Sequence, residues 1–231
     1  MKRTAWMSVL ALVAMIGLQA SDKPGERQEG VQQSKENVVF RWGFGALVGP
    51  KHEFVSITRD TSLSSGEEVK LVIELRSDCF VYLIHHSSSG QISLLFPYSL
   101  RQFAADYKPE KNYYVPKGRE WFRLDTVKGR ETFYLVASSE RLLDLETELS
   151  NYEAAKPDGK GKIASQIVDE IRNIRKRFRT LATFAERPVA IGGNIRGMEK
   201  LDESKRPDVS SIATEVSAQN FYAKTITIDH R

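Results

Sequence analysis

Four histidines, one cysteine and a scatter of carboxylates are the side chains able to act as ligands, nucleophiles or bases. His85 and His86 are neighbours in an apolar run, and neighbours on a strand point to opposite faces, so one metal cannot take both without distortion. Neither they nor His52 and His230 have a cysteine or carboxylate at ligand spacing. Cys79 opens an apolar strand with no activating neighbour, which suits a buried structural thiol. Gly192, Gly193 and Asn194 lack the preceding strand and following helix of a phosphate turn, and no nucleophile elbow or Walker loop occurs. A hydrolase built on Asp106, Glu120 and Asp125 would need two of them in one cleft with separated pKa values, and nothing in their spacing demands it. The expectation is a protein without catalytic residues, metal or cofactor.

One stretch has the composition of a recognition surface. Residues 96–122 interleave aromatic rings with arginines and lysines, and Tyr98, Arg101, Tyr107, Tyr113, Tyr114, Arg119 and Trp121 form the candidate ligand or partner surface. Flat rings give contact area at low entropy cost, which suits a peptide, a glycan or a protein partner. The competing reading is that the rings close the open end of a β-sandwich.

The elements that must carry this stretch are mainly strands. Val38–Gly49 mixes apolar, aromatic and glycine residues as a first strand with a bend would, and Phe54, Val55 and Ile57 suggest a second. Val69, Leu71, Ile73 and Leu75 alternate with Lys70 and Glu74, Val72 being the exception, so one face is buried. CFVYLIHH, the turn SSSG and QISLLFP predict a hairpin, and Trp121–Leu124 with Glu131–Ala137 predict another. FYAKTITI at 221–228 predicts a late strand.

Between these strands the period becomes helical. Leu142, Leu145, Leu149 and Tyr152 make one apolar stripe, and Ile163, Ile167, Ile171, Ile174, Phe178 and Leu181 make a second. Ser138 and Ser139 are candidate N-caps, and KPDGKG (156–161) is read as the break between the helices. The first helix is acidic and the second basic, which predicts packing by charge complementarity, or a basic docking face. Residues 187–211 read as a long loop. The expected fold is mainly β, an antiparallel β-sandwich-like domain over 38–231 with a helical hairpin at about 138–186 inserted before the last strand.

The N-terminus supplies an address. Lys2 and Arg3, an apolar run from Ala5 to Leu18 and the small Ala20 make the three parts of a secretory signal peptide over residues 1–20, followed by a polar leader at 21–37. A membrane-spanning helix needs roughly 20 apolar residues, so cleavage is expected rather than a stable span. Cleavage removes Lys2 and Arg3 from a chain with 34 basic and 30 acidic residues, leaving it almost neutral. With export, that argues against nucleic acid as a partner.

From about Ser64 to Ser138 the chain resembles the bacterial family called domain of unknown function 4384 (DUF4384). The resemblance runs through SGEEVKLVIEL, SDCFVYLIHHSSSGQISLLFP, YYVP and FRLDTVKGRETFYLVAS, with Phe80 and Tyr82, Gly90, and Leu95–Phe96–Pro97 its most telling residues. It implies an antiparallel β-sandwich-like module of exported proteins and carries no activity. The expected function is therefore that of a periplasmic or extracellular envelope module binding another protein, with a glycan- or cell-wall-binding domain using residues 96–122 as the alternative.

Overall fold

A computed structural model describes residues 37–178, 184–188 and 206–231. The predicted signal peptide, nearly all of the leader and residues 189–205 of the predicted loop lie outside the described residues. The chain forms two sheets packed face to face. The first has the order β10 (Phe184–Pro188), β11 (Thr214–Ala218), β1 (Val38–Val48), β4 (Glu68–Leu75), β7 (Asn112–Val115). The short strands β2 (Glu53–Ser56) and β8 (Phe122–Arg123) join it by pairing with β1 and β4. The second has the order β3 (Thr61–Leu63), β12 (Phe221–His230), β9 (Gly129–Ser138), β5 (Phe80–His86), β6 (Ile92–Phe96).

Period two explains the core between the sheets. From β4 the predicted Val69, Leu71, Ile73 and Leu75 face inward to meet Val81 and Leu83 of β5, and Phe133 and Leu135 of β9. The exception, Val72, is buried on the other face, where β4 runs beneath a one-turn 3-10 segment, Val209–Ile212. Gly43 of β1 lies under the same turn: a Cβ there would stand 2.5 Å from the Val209 carbonyl oxygen. The glycine thus permits a close approach of backbone to sheet.

The outer face of the second sheet is apolar, because Tyr82 and Ile84 of β5, Val136 of β9 and Phe221 of β12 alternate away from the core. The helical hairpin covers it. Helix α2 (Leu143–Ala154) contributes Leu145, Leu149 and Tyr152, and α3 (Pro157–Phe178) contributes Ala164, Ile167, Val168, Ile171 and Ile174. The Tyr82 hydroxyl donates to the Glu146 carboxylate at 2.6 Å and accepts from the Leu142 amide at 3.1 Å. Arg141 closes the network on the same carboxylate.

Residues 121–124 and 131–137 do not form a hairpin: β8 pairs with β4 in the first sheet, while β9 lies between β12 and β5 in the second. The break between the helices lies at Ala155 and Lys156, so only the first residue of KPDGKG falls in it, and Pro157 opens α3, where its fixed φ and missing N–H cost nothing. Ser138 and Ser139 are not N-caps: α2 begins after Leu142, which has no side-chain capping bond, and the Ser138 hydroxyl accepts from the Glu140 amide. The hairpin precedes three strands rather than one, with β10 running into the predicted loop at Arg187 and Pro188. Among the described residues no ion pair joins α2 to α3. Arg172 pairs with Asp169 and Arg177 with Glu170, both within α3, so apolar burial rather than charge holds the helices together.

Candidate functional site

The chain leaves β6 at one edge of the second sheet and returns as β7 at one edge of the first, so residues 97–111 bridge the two sheets along one side of the sandwich. The aromatic residues of this bridge fill the gap. Phe96 packs on Tyr113 and Tyr107 with ring centroids 5.2 and 5.8 Å apart, and Phe103 packs edge-on to Tyr107 at 4.8 Å. The Tyr107 hydroxyl donates to the Cys79 carbonyl and accepts from the Val81 amide at 2.7 Å, and burial pushes its pKa far up. Tyr113 is buried, and its hydroxyl accepts from the Lys108 amide. Two of the seven candidate residues, Tyr107 and Tyr113, are therefore packing residues, and sandwich closure accounts for them.

A short helix, α1 (Gln102–Ala105), shapes the bridge. Buried Gln102 receives the Tyr98 amide on its side-chain oxygen at 2.7 Å and donates to the Asp106 carbonyl at 3.0 Å. The Tyr98 hydroxyl donates to the Tyr114 carbonyl at 2.7 Å, capping the edge of β7, and burial pushes its pKa up to about 12. Against this side lies an open groove of about 480 Å³ lined by Tyr98, Arg101, Asp106, Lys111, Tyr113 and Lys117, among others. The Lys117 ammonium stands 4.1 Å from the Tyr98 ring centroid and the Lys111 ammonium 5.2 Å from that of Tyr113. Three cations thus share the groove with one carboxylate. That carboxylate, Asp106, is bonded by Lys111 at 2.6 and 2.8 Å, which holds its pKa below the ordinary value.

Strand alternation sends the other candidates elsewhere. Tyr114 points away from Tyr113, into a recess of about 250 Å³ on the outer face of the first sheet, with Arg119 and Trp121. Its walls include residues that gave no sign in the sequence: Lys70, Arg206 and Asp208. Lys70 is buried, and its ammonium donates to the carbonyls of Pro116 at 3.2 Å, Gly118 at 2.9 Å and Glu120. Burial brings its pKa down to about 8, with Arg206 adding to the fall and Glu120 and Asp208 opposing it. Beside it the buried Glu68 carboxylate pairs with Arg123 at 3.0 Å and Arg206 at 2.9 Å, and Asp208 accepts from the Tyr114 hydroxyl at 2.9 Å. Arg119 in the recess and Arg101 in the groove both lack an ion-pair partner among the described residues.

The remaining reactive groups lie apart. His85 contacts Glu131 at 2.6 Å, and His230 contacts Ser65 at 3.0 Å. Asp106, Glu120 and Asp125 are exposed, and Asp125 accepts the Val127 amide. Among the described residues no group of three His, Cys, Asp or Glu side chains is placed to hold a metal, and no helix is long and apolar enough to cross a membrane.

Residues 62–141 match the family described as Domain of unknown function (DUF4384). No curated protein and no solved structure matches the chain. The DUF4384 segment holds β4 to β9 and every residue of the groove, but not the helical hairpin. It also depends on its surroundings, because β4 and β9 pair with β1 and β12, which lie outside the match.

Proposed function

We propose that this chain is an exported, noncatalytic cell-envelope module that binds another protein through the groove between α1 and β7. The address rests on the signal-peptide pattern of residues 1–20. The single observation that carries the binding reading is the imbalance in that groove, where Lys111 pairs with Asp106 and Arg101 and Lys117 have no carboxylate partner among the described residues. Unneutralised charge on a rigid, partly apolar surface steers and orients a partner. The exposed scatter of Asp106, Glu120 and Asp125 supports binding over hydrolysis, since shared-proton chemistry needs carboxylates in one cleft.

The glycan alternative draws less support. Stacking a sugar needs an open ring face, but Tyr107 and Tyr113 are engaged in packing and the Tyr98 ring carries the Lys117 ammonium. Crosslinking in intact cells followed by mass spectrometry should recover a specific envelope protein. Recovery of none, or a protein retained in the cytoplasm with residues 1–20 intact, would overturn the reading.

A further inference from the structure

We infer that the groove receives an acidic peptide segment whose carboxylates meet the Lys117 ammonium and the Arg101 guanidinium. This rests on the protein-binding reading above and names the chemistry of the partner. The two lysines are not loose surface charges, because each is seated on a ring: Lys117 over Tyr98 and Lys111 over Tyr113. The rings are themselves fixed, Tyr98 by its bond to the Tyr114 carbonyl and Tyr113 by burial beside Phe96. The Lys111 ammonium also binds both oxygens of Asp106, so the cations left for a ligand are Lys117 and Arg101.

Charge decides the sign of the ligand and the rings decide its class. A cation-rich groove with one partnered carboxylate excludes basic segments. An acidic polysaccharide has the right charge, but its sugar rings gain from stacking faces that the lysines already occupy here. A peptide carboxylate needs only the Lys117 ammonium and the guanidinium, and Arg101 can grip one with two parallel N–H donors. The Tyr98 hydroxyl blocks the β7 edge at Tyr114, so recognition rests on side chains rather than on strand addition.

The test uses the mature chain and a fluorescein-labelled peptide of alternating Glu and Gly, followed by anisotropy. Binding should weaken as salt rises, and replacing Glu by Gln in the probe should abolish it. Arg101→Glu and Lys117→Glu together should weaken it by roughly tenfold or more, with Ser165→Glu on the far helix unchanged. Arg101→Glu alone, at an exposed site, should weaken it measurably with an unaltered circular dichroism spectrum. Equal binding of the Glu and Gln probes, indifference to Arg101→Glu, or equal binding of polygalacturonate would each overturn the inference. If the peptide fails while in-cell crosslinks still form at the groove, the acidic-segment inference falls alone; if no crosslinks form, the protein-binding reading falls with it.

Discussion

The Lys117 ammonium rests 4.1 Å from the centre of the Tyr98 ring, and the hydroxyl of that ring donates to the backbone of Tyr114. One side chain therefore couples a surface cation to the edge of the first sheet, and the two ends of the coupling should separate on mutation. Tyr98→Phe removes a half-buried hydrogen bond and should cost about 1 kcal/mol in urea unfolding. Lys117→Ala removes an exposed cation–ring contact and should cost no more than about 0.5–1 kcal/mol. A larger loss for Lys117→Ala would make the lysine a structural residue rather than a ligand-facing one.

Tyr82 and Glu146 tie the helical hairpin to the second sheet. Tyr82→Phe leaves the buried Glu146 carboxylate short of a donor and the Leu142 amide without its acceptor. Leaving buried groups unsatisfied costs about 1–3 kcal/mol, so the urea midpoint should fall with an unchanged m value. An unchanged midpoint would mean that the network adds nothing to hairpin docking.

The hairpin also tests burial against charge. Ile171→Ala, at a residue 1 % exposed, should cost about 2–5 kcal/mol, whereas the exposed Lys176→Glu should stay within about 0.5 kcal/mol. A comparable loss from the charge reversal would restore the role expected for electrostatic complementarity.

Lys70 gives a pH dependence with a definite sign. Its pKa is about 8 in the fold against an ordinary 10.5, so between these values the unfolded chain binds more protons and stability rises with pH. Below about 8 the cost of the buried ammonium is present in full. Above about 10 the raised pKa values of Tyr82, Tyr107 and Tyr222 act the other way, since only the unfolded chain releases their protons. Thermal unfolding of Lys70→Met should lack the gain between about 8 and 10; retention of the full gain would assign it to another group.

Local patterns revealed the longer strands and both hairpin helices, because alternation in 69–75 and the isoleucine spacing of α3 each encode one buried face, but they did not reveal β3, β10, β11 or α1. What they could not reveal depends on distant chain. Lys70 reads as an ordinary solvent-facing residue of β4, and it is buried only because the 116–121 and 206–209 segments fold over it. Val72, the exception to alternation, was a trace of that cover. The seven candidate surface residues were legible as a group by type, but consecutive Tyr113 and Tyr114 belong to opposite faces of an edge strand. That divides the set between core, groove and recess. The pairing of β8 with β4 was hidden for the same reason: a two-residue strand has no period to read.

A photocrosslinking amino acid placed at position 101 in intact cells reads out whether the groove between α1 and β7 meets an envelope partner. We predict a discrete crosslinked envelope protein from position 101, none from position 165 on α3, and loss of the product when Lys117→Glu is added. Products of equal yield from both positions, or none from position 101 while position 165 reacts, would mean that the groove is not the binding surface.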